Sequence, residues 1–179
     1  MTKRALLVVD VQNCFVNSYS DRIPGRVRTL IDDGGYEPVL FTKFVNTDGS
    51  PYRTILGWHE CEDAPDTDLA PEIADCAHPE AVYTKPGFTG IPDDLAERLR
   101  ADAPDEVAVV GIDTDMCVLK VAMDVFDLGI RAIVLVDCCA STGGLQAHLA
   151  GLAVLARNIG ADNLRTTGLG EGYLGRPPT

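Results

Sequence analysis

The chain has 179 residues, 46% of them apolar and 23% charged, and a formal net charge of −12. That length supports one sizeable core but not two ordinary domains, and no stretch approaches the roughly 20 consecutive apolar residues of a membrane span. The negative charge opposes binding to nucleic-acid phosphates and anionic membranes, which both need a positive patch, and leaves small-molecule chemistry, with a neutral or cationic substrate favoured.

The opening Met-Thr-Lys-Arg runs straight into an apolar segment without the form of a signal peptide, so a cytoplasmic protein is expected. Leu6-Leu7-Val8-Val9 then reads as a central parallel strand buried on both faces and stopping at Asp10. A helix is predicted from Pro24 to Asp32, and a shorter strand from Pro38 to Val45. Residues 46–71, with Gly49-Ser50-Pro51, Trp58-His59 and an acidic Pro-containing stretch, lack periodicity. They are expected to form an excursion over the strand ends that covers a pocket. Ala81 to Lys85 is a strand candidate, followed by a helix from Asp93 to Ala101. Glu106 to Ile112 and Arg131 to Val136 repeat the form of the first strand, each followed by aspartate. Between them a helix over Asp115 to Leu128 places Val118, Val121, Ala122, Val125 and Phe126 on one stripe and stops at Gly129. A helix from Gly144 to Asn158 and a weak strand from Asn163 to Thr166 complete the pattern. The Gly- and Pro-rich segment from Gly168 is expected to be a flexible tail unless a partner subunit holds it.

Alternating strands and helices with right-handed crossovers imply an α/β fold of three layers, α/β/α, in one domain spanning residues 1–179. Its central sheet should be mostly parallel, Rossmann-like and about six-stranded, with the ligand crevice beyond the carboxyl ends of the strands. Asp10, Asp113 and Asp137 sit at such ends, and Lys85 lies close to one. Six cysteines (Cys14, Cys61, Cys76, Cys117, Cys138, Cys139) are scattered through apolar or mixed contexts, in a chain large enough to need no staples. All six are expected to be reduced thiols. Adjacent Cys138 and Cys139 should point to opposite faces of a strand as packing residues.

Cys117 follows a strand and a short turn and falls in the first turn of a helix, where the dipole and free N–H groups favour a thiolate nucleophile. A small buried packing residue is the alternative. Asp10 projects from an apolar strand into a crevice, where burial suits a carboxylate to shuttle protons; it could instead cap the Val11-Gln12-Asn13 turn. Lys85 precedes Pro86-Gly87, a turn that aims the ammonium into the crevice or leaves it exposed at a strand end.

Together, ALLVVDVQNCF (5–15), YTKPGF (83–88), VVGIDTDMCVLKVAMDVFDLGIRAIVLVDCCAS (109–141) and the following helix with His148 resemble the isochorismatase-like cysteine hydrolases. That superfamily includes nicotinamidases, N-carbamoylsarcosine amidase and ureido-hydrolases. The resemblance implies Asp10 as general base, Lys85 as the middle of a triad and Cys117 as nucleophile. It also implies an oxyanion hole from the backbone N–H groups of Asp113 and Cys117, and a cis peptide between Ile112 and Asp113. The implied reaction is metal-free and cofactor-free hydrolysis of a small-molecule C–N bond, in an amide, lactam or ureido group, through a thioester. Relatives often form dimers or tetramers, so a homo-oligomer is expected.

Metal-binding nicotinamidases resemble one another in an Asp-x-His pattern after the second strand. Here Asp48 has no histidine two places on, and His59 and His78 stand alone, so neither a metal nor nicotinamidase activity is expected. Relatives that cleave the vinyl ether of isochorismate usually lack the cysteine that Cys117 supplies. Asp113 is a further departure, since relatives often carry a small uncharged residue there. It either faces the pocket and disfavours anions, or turns away to bond backbone N–H groups. Phe15, Trp58, Phe88 and Asp113 are candidate substrate contacts; Asp137 and His148 read as scaffold. Aspartates at strand ends with a lysine also describe phosphate-accepting receiver modules, but those carry paired acidic residues where Asp10 is followed by Val11-Gln12-Asn13.

Overall fold

The computed structural model of the chain describes residues 2–88 and 90–167, so the segment from Gly168 read as a tail lies outside the described residues. The elements in chain order are β1 (Arg4–Val9), α1 (Ile23–Asp33), β2 (Val39–Phe44), α2 (Pro51–Thr54) and β3 (Val82–Lys85). They continue with α3 (Asp93–Asp102), β4 (Glu106–Ile112), α4 (Cys117–Asp127), β5 (Arg131–Ala140), α5 (Leu145–Ile159) and β6 (Leu164–Arg165). All six strands pair in parallel in the order β3-β2-β1-β4-β5-β6. The expected three-layer sheet is therefore present and wholly rather than mostly parallel.

Strand period explains the layers. In β1, Ala5, Leu7 and Val9 face one side and pack with Leu95 and Leu99 of α3, Val118, Val121 and Val125 of α4, and Leu155 of α5. Leu6 and Val8 face the other side and pack with Ile23, Val27 and Leu30 of α1 and with Ile73 of the excursion. Because both faces are covered, the strand reads as an unbroken apolar run. Cys138 and Cys139 obey the same period, falling in opposite core layers.

Two boundaries and the burial of one residue differ from expectation for physical reasons. β5 continues past Val136 because the Asp137 carboxylate accepts hydrogen bonds from Thr167 N (2.9 Å) and Thr167 Oγ1 (2.5 Å), which lets a charged residue remain in the strand. α4 starts at Cys117 rather than Asp115, since Asp113 O accepts from both Met116 N and Val118 N and leaves 113–116 as an irregular turn. Phe126 is half exposed rather than on the buried stripe, which Val118, Val121, Ala122 and Val125 complete without it.

Candidate active site

The strand order reverses direction between β1 and β4, and the crevice at such a switch point opens beyond their carboxyl ends. Asp10 follows β1 there. Its φ of 49° lies in the left-handed region, which aspartate tolerates better than most residues because its short side chain bonds locally. The side chain is buried; Oδ1 accepts from Thr42 Oγ1 of β2 at 2.7 Å, and Oδ2 meets Lys85 Nζ at 2.7 Å. Asp10 is thus a fully buried partner in an ion pair, not a cap for the turn after it.

Lys85, at the end of β3, is also fully buried, so the reading of an exposed strand-end lysine is set aside. Its Nζ lies 3.5 Å from Cys117 Sγ and 3.3 Å from Gly87 O, which makes it the bridge between carboxylate and thiol. Burial, the largest single effect, works against its charge, but Asp10 and Cys117 together outweigh that cost and hold the Lys85 pKa above its ordinary value. For Cys117 the balance runs the other way. Burial, and then the negative charge of Asp10, push the thiol well above its ordinary value despite the opposing effect of Lys85. The helix start favours the thiolate, while burial and Asp10 oppose it.

The turn joining β4 to α4 leaves two backbone amides without an acceptor among the described residues. The Ile112–Asp113 peptide is cis, as the resemblance implied. Among the described residues, the amides of Asp113 and Cys117 donate to no backbone or side-chain acceptor, whereas Thr114 N donates to Ala140 O and Met116 N to Asp113 O. The choice left open for Asp113 is resolved. Its Oδ1 accepts from Thr142 N at 2.5 Å and its Oδ2 from Thr142 Oγ1 at 2.8 Å, so its carboxylate is spent on the β5–α5 loop while the residue's edge lines the cavity. Burial raises the Asp113 pKa, against the lowering effect of the Thr142 bonds.

Above this row lies a cavity of about 410 Å³. Phe15, Trp58 and Phe88 line it as expected, and Phe44, Tyr52, Leu56, Glu60, Met116 and Thr142 line it unforeseen. The Phe15 and Trp58 rings are nearly parallel, 14° apart with centroids at 6.4 Å, and Tyr52 sits 5.1 Å from both Phe44 and Phe88. The excursion therefore does cover the pocket, supplying Tyr52, Leu56, Trp58 and Glu60.

Two devices fasten that excursion, and neither was foreseen. The buried carboxamide of Gln12 donates to Phe44 O and Thr67 O, both at 2.8 Å, and accepts from Phe44 N at 2.7 Å, sewing the end of β2 to the loop. Cys14 and Cys61 form a disulfide across a sequence separation of 47, leaving Cys76, Cys117, Cys138 and Cys139 free. The expectation of six reduced thiols is thereby corrected. Chain size argues against a need for staples, but the Gln12–Leu69 bridge and the Asn46 N to Cys61 O bond bring the two cysteines together regardless. A buried glutamine at a turn leaves no periodic signal that sequence reading could have used.

Among the described residues no group of three or more His, Cys, Asp or Glu could hold a metal. Asp48 is paired with Arg53, and His59 Nδ1 lies 3.2 Å from Glu62 Oε1. His148, read as scaffold, bonds Thr114 Oγ1 at 2.7 Å and steadies the turn before Cys117; burial, then Arg22, lowers its pKa. No helix among the described residues is long and apolar enough to cross a membrane.

The wholly parallel sheet thus carries Asp10, Lys85 and Cys117 beneath an aromatic-lined cavity at its switch point. The chain belongs to the isochorismatase family: the model of the Isochorismatase domain matches residues 4–167. It is similar to a nicotinamidase/pyrazinamidase of Mycobacterium tuberculosis, with 34% identity over 161 residues, covering 76% of this chain and 86% of that protein. N-carbamoylsarcosine amidase from Thermoplasma acidophilum superposes with a TM-score of 0.76 at 25% identity, covering 96% of this chain and all of that one. An isochorismatase-like hydrolase from Alkaliphilus metalliredigens shares the fold, with a TM-score of 0.76 at 21% identity and 92% coverage of each chain.

Proposed function

We propose that this hydrolase cleaves a C–N bond of a small amide, lactam or ureido compound through a thioester on Cys117. The observation that carries the reading is the buried row Asp10, Lys85, Cys117, with separations of 2.7 Å and 3.5 Å, beneath the cavity. Burial beside Asp10 disfavours a free thiolate at Cys117, so in this reading proton transfer accompanies attack. Asp10 takes the thiol proton while Sγ bonds to the carbonyl carbon, and Lys85 compensates the charge that shifts between them. The carbonyl oxygen, now anionic, takes hydrogen bonds from the uncommitted amides of Asp113 and Cys117, where losing one such donor typically costs about 3 kcal/mol. The intermediate collapses as Asp10 returns the proton to the departing nitrogen, which breaks the C–N bond and leaves the thioester. Asp10 then takes a proton from water, the hydroxyl attacks the thioester, and the carboxylic product leaves as the thiol is restored.

A planar heteroaromatic carboxamide is the second reading, favoured by the nearly parallel Phe15 and Trp58 rings and by the nicotinamidase/pyrazinamidase relative. Both readings share one test. Turnover of a panel of amides, lactams and ureido compounds is followed by release of ammonia or amine, with intact-mass detection of the acyl adduct. The expected adduct lies on Cys117 and is absent from Cys117→Ala, which loses turnover. Full turnover by Cys117→Ala, or an adduct on another cysteine, overturns the proposal.

A further inference from the structure

The walls of the cavity are chemically one-sided. They take in the chain's single Trp and three of its five Phe, together with Tyr52. Among the described residues they contain no lysine or arginine, and the acidic residues there are Asp113 and Glu60. Asp113 has both oxygens committed to Thr142. Glu60 has neither an ion pair nor a hydrogen bond on its carboxylate among the described residues. Its neighbour Glu62, by contrast, is held by Arg53 Nε and His59 Nδ1, each at 3.2 Å. The buried cation at the floor, Lys85, is neutralised by Asp10. A ligand entering the cavity thus meets π faces, the exposed and uncommitted Glu60 at the rim, and the field of a protein carrying a net charge of −12.

We infer that the substrate's non-reacting end is a cation: the site takes small amides or ureido compounds bearing an ammonium or N-alkylated ammonium group, which Glu60 and the faces of Phe15, Tyr52 and Trp58 hold while the carbonyl reaches Cys117. This rests on the proposed C–N hydrolysis and adds the substrate class. Aromatic faces attract a cation through their ring quadrupole, and the attraction grows as water is excluded. An anion in the same place would meet repulsion from Glu60 and, from the described lining, only neutral donors such as the Asn17 carboxamide and the Trp58 indole. A neutral group of the same shape would keep the apolar contact but gain nothing from the charge.

The test compares three series of carboxamides, with one to four methylenes between the carboxamide and a trimethylammonium, tert-butyl or carboxylate end. Expected is an order of kcat/KM of cation, then neutral, then anion, with the best cation at least about tenfold above its tert-butyl isostere. In Glu60→Gln the cation-to-neutral ratio falls several-fold, Glu60→Asp restores part of it, and the ratio declines as salt is raised. A neutral or anionic series turned over as well as the cationic one, or a ratio unchanged in Glu60→Gln, overturns the inference while leaving the hydrolase reading intact. Quenching of Trp58, the chain's single tryptophan, separates the reverse case in Cys117→Ala. Glu60-dependent binding of the trimethylammonium amides with no turnover of any series by the wild type sustains the cation site and sinks the hydrolase.

Discussion

Reduction of Cys14–Cys61 tests how the long excursion is held over the site. The bond closes a loop of sequence separation 47, and the chain-entropy account assigns about 4 kcal/mol to the loss of that closure, as an upper value. For a domain of this size, each kcal/mol moves Tm by about 2–4 °C, so reduction should lower Tm by up to about 8–16 °C. The effect should also reach the pocket, since Cys14 adjoins Phe15 and Cys61 adjoins Glu60. Urea unfolding with and without a thiol reductant measures the stability change, and Cys14→Ser/Cys61→Ser serves as a control that should be weakened yet insensitive to reductant. Thiol titration of the unfolded, unreduced protein should count four, Cys76, Cys117, Cys138 and Cys139. Six titratable thiols together with a midpoint indifferent to reductant would refute the tether and restore the all-reduced expectation.

Thr42→Val removes the hydroxyl that donates to Asp10 Oδ1 at 2.7 Å; we expect kcat to fall ten- to a hundredfold with about 1–3 kcal/mol lost in stability, and unchanged kcat would show that Asp10 needs no such aim. Gly151 of α5 leaves room for the turn before Cys117, and a Cβ there would stand 2.7 Å from Asp115 Cα. Gly151→Ala should therefore cost about 1–3 kcal/mol and depress kcat although it lies outside the cavity wall, and wild-type kinetics would contradict the packing account. Burial raises the thiols of Cys117, Cys138 and Cys139, that of Cys138 up to about 12. The unfolded chain gives up these protons first, so their contribution is intact below about pH 9 and is lost as pH rises toward the folded values, at up to ~1.4 kcal/mol per pH unit for each thiol. Urea midpoints measured between neutral and strongly alkaline pH should fall less steeply for Cys138→Ala/Cys139→Ala, and parallel curves would remove these two thiols from the account.

Much of the fold was legible because the information is local. Continuous apolar runs such as Leu6 to Val9 identify strands covered on both faces, and the Val118, Val121, Val125 spacing identifies a helix lying on them. The alternation of the two kinds of element then constrains the sheet to parallel pairing. Asp10, Lys85 and Cys117 were recognisable one by one as chemistry at element ends. What no spacing contained was their mutual distance, because β1, β3 and the start of α4 meet only when the strand order reverses at β1 and β4.

The protonation of the row belongs to that second level. Helix position alone favours a thiolate at Cys117, yet burial beside Asp10 pushes the thiol pKa up, and no local pattern reports the sum of two opposing fields. The same holds for the cover. The excursion over 46–71 could be recognised as irregular, but the Gln12 carboxamide, the Cys14–Cys61 bond and the uncommitted Glu60 exist only through long-range contacts. Sequence by itself determined the layers and the chemistry available at their edges, since hydrophobic period is a property of neighbouring residues. Tertiary structure decided which groups face one another, and so which proton rests where and what the pocket admits, because distance and desolvation arise only when remote segments pack.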